Sequence, residues 1–376
     1  MPERRLPIVL VPSLEPDDRL PAYVSELMSN GFSRVVVVND GSSADYQPIF
    51  DRIASLGATV LGYEVNHGKG YALKHGYRWI LEHEPDCAAV LTADADGQHT
   101  VPDCLRMAEA LEKDDQALWL GSRDFNLPEI PPKSRFGNKT TSAVFKLLYG
   151  VWLPDTQTGL RAFRREELPA MIAVAGDRYE YEMNVLIDCA RRKFPIRPLT
   201  IETVYENNNE GTHFHPIRDS WRIYRVILGS FFRYAVASIV SFLLDYAVLS
   251  ALMFWVFKDS AKAYIAPLGI HFSFRALVAA PIARLVSAPV NYLLNRKYVF
   301  REKRDGRAVK RYFVLALCSL VITTLLFGFL DHFLSESAPV LHILLKIVID
   351  VTMYFVNYRI QQRWVFSGRK EPDPHA

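Results

Sequence analysis

Cysteine is scarce in this chain of 376 residues: there are four, Cys87, Cys104, Cys189 and Cys318, and no Cys-x-x-Cys pair among them. That scatter argues against a disulfide framework or a zinc ribbon and reads as free thiols in a reducing cytosol. An excess of one charge is lacking too. Lys and Arg number 44 against 41 Asp and Glu, a net charge of +3, which gives no ground for a nucleic-acid partner. No Gly-x-x-x-x-Gly-Lys-Ser/Thr stretch exists, so Gly68-Lys69-Gly70 is not a P-loop. The beginning, Met1-Pro2-Glu3-Arg4-Arg5, runs into a strand-like segment and has no signal-peptide pattern.

Apolar residues make up 50% of the chain, and they are unevenly spread. Residues 1–225 mix charged and apolar positions as a globular domain does, whereas residues 226–370 are mostly long apolar runs. Two domains follow, the second one in a membrane.

In the first half, strand and helix patterns alternate. Strands are expected at Pro7–Pro12, Arg34–Val38, Thr59–Tyr63 and Ala88–Thr92, and helices at Pro21–Asn30, Pro48–Ser55 and Tyr71–Glu84. This order implies a mostly parallel sheet covered by helices, with ligands at the carboxyl ends of the strands. Polar clusters fall at those ends: Asn39-Asp40-Gly41-Ser42, Asn66-His67-Gly68-Lys69-Gly70 and Asp94-Ala95-Asp96-Gly97-Gln98-His99. Each alone is an ordinary turn sequence. In the second cluster the glycines admit a phosphate to the backbone beside Lys69, at a helix N-terminus, or the stretch is a plain loop. In the third, Asp94 and Asp96 leave the strand on one side, as alternation requires. Two hard oxygen donors there suit Mg²⁺ or Mn²⁺ held together with a diphosphate.

With Val11-Pro12-Ser13, Gly121-Ser122-Arg123 and Asp155-Thr156-Gln157-Thr158-Gly159-Leu160-Arg161 added, the series of motifs resembles glycosyltransferase family 2 of the GT-A fold over residues 1–220. Within it, the dolichyl- or polyprenyl-phosphate sugar synthases are the nearest in pattern. The resemblance implies an α/β, Rossmann-like catalytic domain. It implies that Pro12, Glu15 and Asp40 hold the nucleoside, that Lys69, Asp94, Glu182 and His213 complete the donor site, and that Asp94, Asp96 and Gln98 surround the metal, with Asp96 closest. Arg123, Arg135 and Asn138 are implied to take the acceptor phosphate, and Asp96, Arg123 and Arg135 to carry catalysis. Guanidinium groups suit that task because they grip phosphate in bidentate fashion. There are departures. Glu15-Pro16 stands where the family has Asn-Glu, Asn39-Asp40 where it has Asp-Asp, and His213 where it often has Lys. A histidine there would make donor binding pH-dependent. The base and the sugar stay open.

From Asp124 to Gly150 the sheet pattern stops. A basic, proline-marked loop with Lys133, Arg135 and Lys139 leads into the apolar stretch Ala143–Leu153. This reads as an amphipathic helix on a membrane surface, or as a helix docked on the sheet. Glu180 and Glu182 open a helix reaching Lys193, and a last strand is expected at Ile201–Tyr205.

In the second half, membrane-spanning helices are expected at about 234–257, 276–295, 312–333 and 338–358. Basic residues crowd before the first, between the second and third (Arg296 to Arg311) and after the fourth. The positive-inside rule then places the catalytic domain and both termini in the cytoplasm of a multi-pass inner-membrane protein. A repeat is visible: Arg233-Tyr234 and Arg311-Tyr312 open two hairpins, closed by Asn291-Tyr292 to Val299-Phe300 and by Asn357-Tyr358 to Val365-Phe366. This half resembles the GtrA-like four-helix membrane family. Gln361-Gln362-Arg363-Trp364 mimics the Gln-x-x-Arg-Trp of processive synthases, but the position required for the glutamine is Ile360. Asp245, Arg284, Lys346 and Asp350 fall inside spans, where ionisable residues are costly.

The reading is a membrane-bound inverting glycosyltransferase. It moves a hexose, mannose or glucose, from a GDP- or UDP-sugar to a polyprenyl or dolichyl phosphate. Mg²⁺ or Mn²⁺ is the cofactor, nucleic acid is not a partner, and the oligomeric state is open. The alternative gives the membrane half a flippase-like translocation of the lipid-sugar, with the first half only loading it. A nucleotide-sugar binding protein without turnover is a third reading, disfavoured by the intact Asp-x-Asp beside Lys69 and Arg123.

Overall fold

The computed structural model describes residues 6–128, 130–202, 216–256, 264–265, 272–300, 305–331 and 339–366. The chain divides into two compact units, with the boundary between Ile227 and Leu228.

The first unit opens with β1 (Ile8–Ser13), every residue of which is buried. There follow α1 (Arg19–Ser29), β2 (Val35–Asp40), α2 (Gln47–Ser55), β3 (Thr59–Tyr63), α3 (Lys69–His83) and β4 (Ala89–Thr92). Next come α4 (Val101–Lys113), β5 (Leu118–Arg123), α5 (Pro132–Tyr149), β6 (Arg161–Arg164), α6 (Leu168–Ile172), α7 (Glu180–Arg192) and β7 (Ile196–Ile201). The strands form one sheet in the order β3-β2-β1-β4-β6-β5-β7. Only β6 runs against the others. Strands such as Val35-Val36-Val37-Val38 have no polar face, so both sides must be covered. Leu20, Val24 and Leu27 of α1 and Cys104, Met107 and Leu111 of α4 do so on one side, against Val9, Val11, Val37 and Leu91. The cysteines are free thiols, as expected; Cys104 packs 3.3 Å from the Tyr23 hydroxyl.

The strand order reverses between β1 and β4, the place where open α/β sheets bind ligands. Ser13 lies beside Asn39, Thr92 opposite Arg161 and Arg123 beside Ile201, so the motif-bearing ends share one sheet edge.

Of the last strand expected at Ile201–Tyr205, residues 203–205 lie outside the described residues, and the last described strand of this unit starts earlier. It is β7, ending at Ile201, and it pairs with β5 from Leu118↔Ile196 to Arg123↔Ile201. Neither β5 nor the antiparallel β6 stood out in the sequence, because Arg-Ala-Phe-Arg is short and charged at both ends. The buried Arg161 is tolerated there because its guanidinium donates to the carbonyls of Thr158 and Glu182.

Of the two forms expected of it, helix α5 shows the docked one. Phe145, Leu148 and Tyr149 dock it inward, while Phe136, Leu147 and nearby Trp152 are exposed, with Lys146 over the Trp152 ring. Tyr149 donates to the Ile227 carbonyl and Thr141 meets Tyr224, which fixes the start of the next helix on α5.

That helix, α8 (Pro216–Ala251), carries the chain into the second unit. Its bulk is a short hairpin (β8, Tyr264–Ile265; β9, Phe272–Ser273) and the helices α9 (Phe274–Leu294), α10 (Gly306–Asp331) and α11 (Pro339–Ile360). The helices fall where spans were expected, except that α8 starts well before Tyr234, since its basic first turns are invisible to hydropathy. Among the described residues one segment, Tyr224–Val248, is long and apolar enough to cross a bilayer, with mean hydropathy 1.8. Among the described residues, each of these helices exposes large apolar side chains, including Phe242, Leu285, Leu317 and Val348.

The repeat is physical. Both α9 and α11 end in a π-helical turn, at Asn295–Phe300 and Gln361–Val365. Matching ring pairs recur: Tyr234–Tyr358 at 5.2 Å and Tyr312–Tyr292 at 5.4 Å, then Tyr292–Phe366 at 5.7 Å and Tyr358–Phe300 at 5.9 Å.

Candidate functional site

Beyond β4 the chain turns through Asp94–His99 and enters α4, whose start is fixed by Thr100. Its hydroxyl oxygen accepts the Asp103 amide and donates to the Asp103 carboxylate. There the Lys69 ammonium meets two carboxylates, one from the turn and one from α7. Lys69 Nζ lies 2.6 Å from Asp94 Oδ1 and 3.0 Å from Glu182 Oε1. His99 Nε2 sits 3.1 Å from Asp94 Oδ2. Asp96 stands one step outward, and its Oδ1 accepts the Gln98 amide.

The arrangement sets the charges apart. Burial alone would raise the Asp94 carboxyl, but the Lys69 ammonium and the His99 contact overcome it and hold the group well below the usual carboxylate range. Burial alone would lower Lys69; Asp94 and Glu182 overcome it and push the ammonium upward. Asp96 goes the other way: burial, and then the Asp94 charge, raise it above 3.8. A carboxyl must ionise to hold a cation. The affinity of the full chain for Mn²⁺ is therefore expected to fall roughly tenfold per pH unit below the Asp96 value, with the midpoint above that of an ordinary aspartate. Calorimetric titrations across the acid range measure it.

The glycines around Lys69 serve a tertiary contact. Gly68 has φ 104°, and a Cβ there would come 2.6 Å from Arg178 Cγ and 2.7 Å from the Asp177 carbonyl. A Cβ on Gly70 would meet Tyr181 Cβ at 2.4 Å. The expectation that these glycines admit a phosphate is thus met by a different neighbour, the chain at 177–181. It is tied down further by the Tyr71 amide on the Asp177 carbonyl and by Lys74 on the Asp177 carboxylate at 2.6 Å.

Other expected donor residues have various partners. Asp40 is buried; its carboxylate takes the amides of His67 and Gly68 and the Tyr63 hydroxyl, so it orders the loop that carries Lys69. Pro12 is buried in β1 opposite Val38. Glu15 is exposed beyond β1 at φ 48°, and its amide donates to the Ser42 hydroxyl. A non-glycine residue held there costs on the order of 1 kcal/mol. Glu15→Gly is expected to leave stability unchanged or to raise it by up to ~1 kcal/mol, and Glu15→Val to lower it by about as much; urea unfolding of the full chain in detergent checks both. His213 lies outside the described residues.

On the acceptor side, Arg123 Nε donates to Asp155 Oδ2 at 2.7 Å and Nη2 to Oδ1 at 3.3 Å, and the guanidinium lies over the Phe125 ring. Asp155 is fully buried and also takes the Gln157 amide. Arg135 Nη2 donates to the Leu127 carbonyl, while its Nε is buried without a partner. Asn138 is buried and spends its amide on the Pro154 carbonyl and the Thr156 amide, which links α5 to the Asp155 loop. Its side chain here positions that loop, a role different from the phosphate contact expected of it.

Three residues were not given roles from the sequence. Asp155 fixes Arg123, Arg161 anchors the backbone of Glu182, and Gly159 makes room for Asp94, since a Cβ there would meet Asp94 Oδ1 at 2.4 Å. All three belong to the Asp155–Arg161 motif, so the signal was present without an assignment.

Comparisons with known proteins agree with this architecture. Residues 9–169 match the family model of glycosyl transferase family 2, and residues 233–366 match that of the GtrA/DPMS transmembrane domain. A UDP-N-acetylglucosamine–dolichyl-phosphate N-acetylglucosaminyltransferase of Methanococcus voltae is 26% identical over 219 residues, 54% of this chain and 86% of that one. A polyprenol monophosphomannose synthase of Mycolicibacterium smegmatis is 26% identical over 181 residues, 46% of this chain and 67% of that one. Among solved structures, glucosyl-3-phosphoglycerate synthase of Mycobacterium tuberculosis with Mn²⁺ and UDP-glucose aligns over 60% of this chain and 79% of that one. Its TM-score is 0.43 at 17% identity.

Proposed function

We propose that this chain, a glycosyl transferase family 2 enzyme in its first half and a GtrA/DPMS transmembrane domain in its second, moves a hexose from a nucleotide sugar to a polyprenyl or dolichyl phosphate. Nucleoside diphosphate is released, at the cytosolic membrane face. The relatives from M. voltae and M. smegmatis, named for transfer to dolichyl phosphate and for polyprenol monophosphomannose, support the acceptor class. The basic flanks of the membrane helices support the orientation.

One observation carries the reading: the charge count beside β4. Asp94 and Glu182 pair with Lys69, Asp96 lies close by and His99 meets Asp94, so among the described residues beside β4 three carboxylates outnumber one ammonium and one imidazole, and a deficit of positive charge remains. That deficit fits a divalent cation. Both oxygens of Asp94 already face Lys69 and His99, so Asp96 is the carboxylate that would hold Mg²⁺ or Mn²⁺. Among the described residues no cluster of three or more His, Cys, Asp or Glu could hold a metal. Asp96 would then hold such an ion together with the donor diphosphate, as suits Mg²⁺, and the ion would supply charge neutralisation for the leaving diphosphate.

The protein's own contribution is placement. Lys69 fixes Asp94 in position. Asp155 holds the Arg123 guanidinium, which together with that of Arg135 would take the acceptor phosphate. That phosphate is largely dianionic near neutral pH, its second pKa being about 6, so it attacks the anomeric carbon without a general base. Attack opposite the leaving group inverts the centre.

The sugar is expected to be mannose or glucose. The test is incubation of membranes holding the full chain with labelled UDP- and GDP-linked mannose, glucose and N-acetylglucosamine, polyprenyl phosphate and Mg²⁺ or Mn²⁺. Thin-layer analysis of extracted lipid should show a product from one donor. Absence of lipid-linked sugar from every donor would refute the proposal.

A further inference from the structure

Helix α9 and the π-helical turn that ends it carry polar residues at 284, 287, 291 and 295, spacings of three and four that put them on one helical stripe. At its upper end, Arg284 is 74% exposed, between the exposed apolar side chains of Ile282, Leu285 and Val286. Its ion pair is loose: Nε lies 3.7 Å from Asp245 Oδ1, an oxygen that takes a shorter bond, 2.7 Å, from the buried Ser287 hydroxyl. At the lower end the stripe is tightly knit. Asn291 Oδ1 accepts Tyr312 OH at 2.9 Å and Asn295 Nδ2 at 2.6 Å, Asn295 Nδ2 also reaches Gln361 Oε1, and Gln361 donates to Tyr234 OH. Asn295 is wholly buried, and its own Oδ1 has no partner.

The eleven residue steps from Arg284 to Asn295 rise about 16 Å, roughly half of a ~30 Å hydrocarbon core. Asn295 adjoins Arg296 and Lys297 at the basic end of the helix, so Arg284 stands near mid-depth. A guanidinium there is costly unless an anion meets it, and Asp245, whose Oδ1 is already taken by Ser287 at 2.7 Å, meets it poorly at 3.7 Å.

We propose that Arg284, with Asp245 and Ser287 behind it, is a binding site for the singly charged phosphodiester head of a lipid, reached along the α9 stripe from the basic end. A monoanion suits a single guanidinium, which grips two phosphate oxygens at once. Asp245 is a competing anion that keeps the grip reversible. The favoured lipid is the isoprenoid phosphoryl sugar, an assignment that rests on the function proposed above; a bilayer phospholipid offers the same chemistry.

The test uses the full chain in phosphatidylcholine nanodiscs doped with either a polyprenyl-phosphoryl hexose or phosphatidylglycerol, with retained lipid counted by native mass spectrometry. Wild type should retain the isoprenoid diester, Arg284→Gln should lose about tenfold or more in retention, and Asp245→Asn should gain several-fold. If phosphatidylglycerol behaves identically, the site stands and its occupant is bilayer phospholipid. Equal retention by wild type and Arg284→Gln overturns the proposal. If Arg284→Gln fails to fold, Asp245→Asn decides, because a purely structural ion pair would give unchanged or weaker retention. Since the lipid is added ready-made, the result does not depend on turnover, and sugar transfer by Arg284→Gln to added acceptor should stay within about twofold of wild type. Absence of transfer in all proteins would count against the enzyme reading alone.

Discussion

Lys69→Met is expected to lower the stability of the first unit by about 3–5 kcal/mol, on the order of 10 °C in its unfolding midpoint. The side chains of Lys69, Asp94 and Glu182 are 17%, 28% and 11% exposed, so the ammonium is the shared counter-charge of two largely desolvated carboxylates. Its removal leaves both facing each other and Asp96. Methionine keeps the stem's volume, so the loss is electrostatic. The pH dependence follows from the directions of the shifts. Asp94 is depressed, so its contribution is complete above about pH 4, near its ordinary value of 3.8, and fades as pH falls further. Lys69 is raised, so its contribution holds below its ordinary 10.5 and is lost only in stronger base. Between those limits the gap between wild type and variant should be flat. Thermal unfolding of the full chain in detergent from pH 5 to 9 measures it; a gap under 1 kcal/mol would show that the triad is solvated.

Gly159→Ala is expected to cut sugar transfer about 100-fold while the chain stays folded. A Cβ at 159 would lie 2.4 Å from Asp94 Oδ1 and 2.6 Å from Oδ2, and neither side yields without cost. Asp94 is held by Lys69 and His99, and the Gly159 carbonyl is pinned by the Thr92 hydroxyl at 2.7 Å. Relief comes from moving Asp94, and with it the turn that carries Asp96. A displacement of about 1 Å is worth roughly 10²-fold in rate, against an overpacking cost of about 1–3 kcal/mol in stability. Initial rates and a melting curve on one preparation separate the two. Wild-type rates in the variant would mean that the position of Asp94 does not govern the reaction.

How far these features could be read from the sequence depended on how local their causes are. The turn from β4 into Asp94–His99 is a change from apolar to acidic within a few residues, and the membrane helices are runs of apolar residues, so both were visible. The antiparallel β6, and the Arg123–Asp155 pair that its return makes possible, join residues 32 apart. Nothing near Arg123 announces that partner. Likewise Gly68 and Gly70 exist for a contact with residues 177–181, more than a hundred positions on, and their neighbours in sequence suggested a phosphate instead. Ligand-facing roles for Asp40 and Asn138 were implied by the family resemblance. Their burial and their bonds to loop amides belong to packing between distant segments. The α9 stripe was half visible: Arg284 stood out inside a span, but its helical phase with Ser287, Asn291 and Asn295 mattered only once Asp245, Tyr312 and Gln361 were seen beside it.

The most direct measurement is of the ion itself. Mn²⁺ is titrated into the full chain in detergent, with UDP or GDP present or absent, and bound ion is counted by electron paramagnetic resonance for wild type and Asp96→Ala. One ion should bind to wild type, more tightly with the matching nucleotide, and be lost from the variant. An ion held equally well by Asp96→Ala, or by wild type with no gain from either nucleotide, would contradict the placing of the donor diphosphate at the end of β4.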